Sequence, residues 1–377
     1  MTVIKTSSHN SLEDRLVALT RDLMLIPSIP SRPEDRRRAF EVIKNHLDSL
    51  DHLEVTEYED NGIPSLVAMT KGIKKPKILM CGHIDVIEHE DVSCYRSHIE
   101  NGRIYGPGSG DMKGAVAILL EIFRLINTRS QKASLAIAIT SDEETGGESG
   151  IGFLVGKKGL RAHKAMIPDG GSLNQVTVEE KGILHIKVFC EGKSAHSARP
   201  WQGLNPIEHI MDKLSYLKAS FKVMQENHDQ DDRWYPTCAV TMMGTENKQI
   251  NRIPCDASAT LDVRFPSPYT VRKMKKHIKE ILGEDVRMDV IISADPTSLS
   301  PDIEYQKTIQ EVTGQSTVLA RDDGGSDARF LSTHGIPVMI SRPLVGNLHT
   351  VDEWINIESM VTFYKIYESY LTKMLLS

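Results

Sequence analysis

A histidine and an aspartate stand two residues apart, His83 and Asp85, where the apolar run of residues 78–80 ends. In extended backbone that spacing puts both side chains on one face. A carboxylate beside an imidazole holds its tautomer and leaves the other ring nitrogen free for a metal ion. Taken alone, the pair would suit a solvated strand end equally well. Similar groups recur along the chain, however. Asp111 follows a turn with three glycines in residues 106–110, and Glu143 and Glu144 follow the apolar segment 133–140. Asp169 follows 165–168, and His349 lies in Gly346-Asn347-Leu348-His349.

Open α/β sheets place ligands at the carboxyl ends of their strands. If the strands ending at His83, Glu143 and Asp169 are neighbours, at least five carboxylates share one crevice. Like charges in contact, and burial, both raise carboxylate pKa values, so the acids need compensation. Divalent metal supplies it, two zinc ions balancing three ligating carboxylates and a shared hydroxide. Imidazole and carboxylate ligands with an open position for water are those of a catalytic zinc site. Two such metals about 3.5–4 Å apart activate water and polarise a carbonyl. In near-extended backbone, Glu143 and Glu144 point different ways, so one can bind metal while the other serves as general base.

The elements that must position these groups are legible from periodicity. Residues 11–26 and 33–50 read as amphipathic helices. Strands are expected at 53–58, 65–69, up to His83, at 133–140 and around 165–168, with a helix over 114–126. The near-continuous apolar run 133–140 suits a strand covered on both faces. From about Lys181 the pattern changes to strand 182–191, helix 205–221, strands 238–243 and 257–265, helix 271–282 and strand 286–292, an inserted β-α-β-β-α-β unit. The first pattern then resumes, with a helix near 304–313, a strand at 337–341 and a closing helix over 357–375. The expected fold is α/β, a mixed and mostly parallel sheet flanked by helices plus the inserted α+β domain. The expected division is 1–180 and 294–377 for a catalytic domain and 181–293 for the insertion.

Composition narrows the function. At 377 residues the chain exceeds one comfortable core. A net charge of -6 gives no reason to expect nucleic acid or anionic membrane as partner. The polar residues 1–10 lack a signal-peptide core, and no apolar run reaches spanning length. Five scattered cysteines without a C-x-x-C pair suggest neither a disulfide framework nor a thiolate zinc site. A cytoplasmic protein is the expectation.

In combination, Gly82-His83-Ile84-Asp85, Gly110-Asp111-Met112-Lys113-Gly114, Asp142-Glu143-Glu144, Gly203-x-Asn205-Pro206, Asn251-x-x-Pro254, Asp262-Val263-Arg264 and Gly346-Asn347-Leu348-His349 are specific. The chain resembles, from about residue 12 to 372, the di-zinc metallopeptidase and deacylase family. That family includes succinyl-diaminopimelate desuccinylase, acetylornithine deacetylase, aminoacylase-1 and glutamate carboxypeptidase. The resemblance implies that His83 and Asp169 ligate one zinc, Glu144 and His349 the other, and that Asp111 bridges them through a residue whose bond to Met112 is cis. It implies Asp85 as the residue orienting His83 and Glu143 as general base. It makes the insertion a lid and dimerisation domain whose His196 serves the partner subunit of a homodimer. It implies that Arg264, with Asn251, grips a free carboxylate of a small-molecule substrate, and that Gly325 and Ser326 line the same pocket. Cobalt or manganese could replace zinc. Arg264 could instead simply pair with Asp262, and His196 could be an ordinary loop residue.

The expected function is hydrolysis of the amide of an N-acyl amino acid. Asp169 stands where many desuccinylases and deacetylases carry Glu, which resembles the peptidase branches, whereas the short chain resembles the deacylases. A di- or exopeptidase is therefore the alternative within the family. A non-catalytic metal-stabilised dimer is the alternative of another class, disfavoured by the intact Glu143 and His196. Nucleotide binding at Gly108-x-Gly110 lacks the full Gly-x-Gly-x-x-Gly pattern.

Overall fold

The structure, a computed structural model, describes residues 11–228, 233–300 and 302–376. The polar stretch 1–10 lies outside them. Nineteen strands are described: β1 Leu53–Asp60, β2 Ile63–Thr70, β3 Ile78–His83, β4 His98–Glu100, β5 Arg103–Tyr105, β6 Leu135–Thr140, β7 Lys164–Ile167, β8 Gln175–Glu180, β9 Gly182–Glu191, β10 Ala195–His196, β11 Thr237–Gly244, β12 Arg252–Ile253, β13 Asp256–Phe265, β14 Val286–Ala294, β15 Thr297–Ser298, β16 Val318–Asp322, β17 Val338–Ile340, β18 Val345–Gly346 and β19 Trp354–Asn356. The α-helices described are α1 Leu12–Met24, α2 Pro33–Leu47, α3 Gly114–Arg129, α4 Ile151–Gly156, α5 Pro206–Glu226, α6 Val271–Leu282, α7 Ile303–Thr313, α8 Ala328–Thr333 and α9 Ile357–Leu375. No described helix is long and apolar enough to cross a membrane.

The chain divides into two compact units, one of residues 1–178, 298–321 and 326–377, the other of residues 179–297 and 322–325. In the first, the main sheet runs β1-β2-β6-β3-β7-β17-β8-β15, with β16 beside β8. Strand β6 inserts between β2 and β3, so the strands ending near Glu143, His83 and Asp169 lie side by side and parallel. Alternation explains the layering. Ile78, Met80, Leu135, Ile137 and Ile139 pack on the side of α1, α2, α3 and α9. Their neighbours Leu79, Cys81, Ala136 and Ala138 pack with Leu154 of α4 and Leu331 of α8. Both faces being covered, β3 and β6 are buried throughout, which is why they read as apolar runs rather than alternating ones.

In the second unit, the antiparallel sheet β11-β13-β9-β14 carries α5 and α6 on one face. Leu184, Ile186 and Val188 of β9 and Leu261 and Val263 of β13 meet Leu214, Phe221 and Ile278 of the helices. Half-exposed His185, Asp262 and Arg264 alternate with them, pointing to the other face. Strand β11 is an edge, and Val240, Met242 and Met243 on it are exposed.

Three features differ from the sequence expectation. Strands β8 and β16 and helices α4 and α8 are not expected from the sequence. The two- and three-residue strands of the sheet β18-β19-β5-β4 carry no periodicity. Residues 143–145 form a single 3-10 turn rather than extended backbone. The separate directions of Glu143 and Glu144 therefore come from a turn closed by Gly146 at φ 113°.

Candidate metal centre

The turn after β3 sets the first histidine. His83 Nδ1 lies 3.1 Å from the backbone carbonyl of Asp85 and 3.5 Å from its Oδ1. The carbonyl is thus the closer orienting partner, where the sequence suggested the carboxylate. Asp85 Oδ2 instead accepts the backbone N–H of Glu144 at 3.0 Å, tying the β3 and β6 strand ends together. With Nδ1 donating to the carbonyl, Nε2, which faces Asp111, is the nitrogen that would give up its proton and offer a lone pair to a metal.

Asp111 stands between two histidines. Its Oδ1 is 3.1 Å from His83 Nε2 and its Oδ2 is 3.2 Å from His349 Nε2. Its backbone is not helical (φ -128°, ψ 94°), so it is not an N-cap of α3, and its bond to Met112 is cis. The turn before it depends on Gly108 at φ 80°, where an added Cβ would approach Val86 Cγ1 to 2.5 Å. The buried Lys113 ammonium donates to the carbonyls of Leu23 and Ile26 at 3.2 and 2.7 Å, fastening the turn to the end of α1. Burial pushes its pKa down to about 7.

His349 arrives from the far end of the chain on a strained loop. Asn347 and His349 have φ of 53° and 63°, unfavourable for side-chain-bearing residues. The loop is braced by the Thr350 hydroxyl donating to the Asn347 carbonyl at 2.7 Å. Before it, Gly346 packs against the Trp354 indole so closely that a Cβ would lie 2.4 Å from the ring. His349 Nε2 is 3.3 Å from Glu144 Oε2.

Two groups result. His83, Glu143 and Asp169 each offer an atom within 4.8 Å of the others, as do Asp111, Glu144 and His349. The electrostatics call for cations. Burial holds the Glu143 carboxyl well above the usual range. Burial, and then neighbouring Asp111, push Asp169 up to about 7. Burial opposes ionisation of Asp111 as well, but hydrogen bonds from His349 and His83 outweigh it and hold this acid well below the usual range. Hydrogen bonds to Asp111 and Glu144 raise His349 to about 10. Glu144 Oε1 and Asp85 Oδ1 are buried without a hydrogen-bond partner among the described residues. Orphaned carboxylate oxygens and an imidazole–carboxylate donor set fit divalent metal.

The remaining sequence candidates have local partners of their own. In the second unit, Arg264 forks onto Asp262, with Nε–Oδ1 at 2.7 Å and Nη2–Oδ2 at 3.2 Å, and its Nη2 lies 3.3 Å from His185 Nε2. His196, exposed on β10, accepts the Ala198 N–H on Nδ1 at 3.1 Å, which leaves hydrogen on Nε2. The Asn251 carbonyl accepts the Ser197 N–H at 2.9 Å. Gly325 packs on Ile183. Ser326, in the first unit, is buried with its Oγ accepting the Ala328 N–H.

Two residues beside the metal groups were not singled out from sequence. Glu353 Oε1 accepts the backbone N–H groups of Gly110 and Asp111. Arg342 Nη1 lies 3.7 Å from Asp169 Oδ1. The only signal for the first was its place four residues after His349, and the second had none.

Comparison with known proteins supplies the family and the fold. Residues 79–373 match the profile described as peptidase family M20/M25/M40. A succinyl-diaminopimelate desuccinylase of Gluconacetobacter diazotrophicus is 27% identical over 387 residues, covering 95% of this chain and 97% of that protein. A tripeptidase from Staphylococcus aureus superposes with a TM-score of 0.75 at 20% identity, over 97% of this chain and 99% of that one. A dinuclear metal-binding peptidase of the M20 family from Bacillus subtilis superposes with a TM-score of 0.64 at 14% identity, over 97% and 98%. At those identities the structural likenesses establish the fold.

Proposed function

The chain belongs to peptidase family M20/M25/M40 and is a hydrolase of amide bonds, and we propose that it removes the acyl group from an N-acyl amino acid with metal-activated water. The observation that carries this reading is Asp111, whose two oxygens each face a histidine of a different ligand group. We assign His83 and Asp169 to one metal, Glu144 and His349 to the second, and Asp111 to both. Zinc suits these donors, with cobalt or manganese as substitutes. Bound there, the metals supply polarisation of the amide carbonyl and a water acidified toward neutral pH.

The chain's own residues do the rest. Glu143, beside His83 and Asp169, takes the proton of the attacking water and delivers it to the leaving nitrogen. Asp85 fixes His83 through its carbonyl and the Glu144 backbone through its carboxylate. His196 carries its hydrogen on Nε2, as a donor to a developing oxyanion requires. We assign it to the partner's site in a homodimer, with residues 181–293 as lid and dimerisation domain. The exposed apolar edge of β11 and exposed Met211, Tyr216 and Val223 on α5 support that assembly. Arg264 and Asn251 receive the free carboxylate of the substrate, which competes with Asp262 for the guanidinium fork, and Gly325 and Ser326 are further substrate-binding residues of this reading. The five cysteines are free, which suits the cytoplasm.

Similarity to desuccinylases over nearly the full length favours an N-acyl amino acid as substrate. Asp169 and the structural likeness to a tripeptidase support a second reading, a di- or exopeptidase. The deciding experiment offers zinc-loaded protein N-succinyl-diaminopimelate, N-acetylornithine, other N-acyl amino acids and dipeptides. Cleavage of acylated amino acids alone supports the proposal, and cleavage of dipeptides alone replaces it with the second reading. No cleavage of any of these amides would overturn both readings of the substrate and favour the alternative of a metal-stabilised binding dimer.

A further inference from the structure

Strands β7 and β17 run parallel, with Ile167 paired to Ile340. Asp169 and Arg342 each lie two residues beyond that pair, so they leave the sheet at the same level. Arg342 Nη1 is 3.7 Å from Asp169 Oδ1, while Asp169 Oδ2 is 4.0 Å from His83 Nε2. Asp169 thus stands between the first ligand group and a guanidinium. That contact is too long for a hydrogen bond. Arg342 Nε is buried and has no hydrogen-bond partner among the described residues, and the side chain is 18% exposed. Arginine presents five N–H donors in a planar fork, and this one holds charge beside the ligand group without engaging the fork. Arg264 is different, because its fork is already occupied by Asp262.

We propose that Arg342 is a specificity-determining residue, which receives a carboxylate of the substrate close to the scissile amide. This rests on the amidohydrolase reading above. A planar carboxylate matches the guanidinium fork two bonds at a time, and the 3.7 Å contact with Asp169 leaves that fork unengaged. The carboxylate has two possible sources, the far end of a dicarboxylic acyl group or the α-carboxylate of the amino acid. The same chemistry recognises both.

The test compares wild type with Arg342→Met and Arg342→Lys, after metal loading and with metal content measured. One pair of substrates is an N-succinyl and an N-butyryl amino acid, which differ by the acyl carboxylate. The other pair is an N-acyl amino acid and its α-amide. Arg342→Met should reduce the preference for the charged member of one pair by about 10- to 100-fold, through KM, the size of a charged hydrogen-bonding contact. The affected pair identifies the source. Arg342→Lys should restore part of the preference, keeping the charge without the fork. Unchanged preferences, or equal losses on all four substrates with loss of metal, would overturn the proposal and leave Arg342 as a counter-ion of Asp169. Calorimetric titration with succinate, butyrate and an N-acyl amino acid reads the same contact without turnover. If no amide is cleaved but a carboxylate ligand loses affinity in Arg342→Met, the hydrolase reading fails and this assignment stands.

Discussion

Glu353 holds Asp111 by its backbone, its Oε1 accepting the Asp111 N–H at 2.8 Å and the neighbouring Gly110 N–H at 2.7 Å. The Glu353 carbonyl accepts the Gly106 N–H at 2.8 Å as well, so one residue pins both ends of the turn that presents Asp111. Groups that orient ligands are worth about 10- to 100-fold in metal affinity. Glu353→Ala should lose that much in chelator competition while remaining folded by circular dichroism. Glu353→Gln, which keeps an acceptor oxygen, should lose less.

Glu143 lies within ligand distance of His83 and Asp169, yet its proposed task is proton transfer. Glu143→Gln should lower turnover by about 10²- to 10⁴-fold, the usual contribution of a positioned acid–base group. Metal content by elemental analysis should stay at the wild-type ratio. A drop in bound metal would reassign Glu143 as a ligand.

How much of this was readable beforehand depended on what each residue's neighbours had to be. Strands β3 and β6 are buried on both faces, so their apolar runs announced them, and the acids and glycines after them marked the crevice. The distant His349 was found by its motif, because no local property of residues 346–349 distinguishes a bracing loop from a ligand loop. Asp85 was given the right partner through the wrong atom, since sequence lists carboxylates and is silent on which carbonyl a turn aims at a ring. The 3-10 turn at Glu143 was hidden because three successive acids carry no period. Glu353 and Arg342 act through contacts made only after folding. Arg264 was legible as a fork, and its pairing with Asp262 two residues away on the same face follows from strand geometry.

The Glu121 carboxyl supplies a pH prediction away from the metal groups. Burial pushes its pKa up, but the His46 imidazole 3.2 Å away and the hydrogen bond from Arg15 outweigh burial and hold it at about 2. A depressed carboxylate stabilises the fold above its unfolded pKa, and the contribution disappears as pH falls through the folded value. At pH 7, Glu121→Gln should therefore cost about 1–3 kcal/mol in denaturant unfolding, for a side chain only 7% exposed. The difference from wild type should shrink between about pH 4.5 and pH 2.

The exposed edge strand β11 offers an assembly test. Met242 is 63% exposed at the sheet edge. Met242→Asp should convert the proposed dimer to monomer in sedimentation at micromolar concentration, as a charge blunts an edge. If His196 serves the partner's site, mixing inactive His196→Ala and Glu143→Ala chains should recover turnover, because one of the mixed dimer's sites then holds both intact residues. A fully active wild-type monomer would refute the arrangement.

The first unit is assembled from three separated stretches of chain, and the two ligand groups are divided unequally among them. His83, Glu143 and Asp169 all belong to the first stretch, whereas Asp111 and Glu144 wait for His349 from the last. During synthesis, a ribosome has therefore supplied every donor of one group before it begins the inserted unit. It supplies the final donor of the other only after the inserted unit has been made. Assembly of the second group therefore requires the first unit to close back on itself across the inserted stretch, whereas assembly of the first group does not.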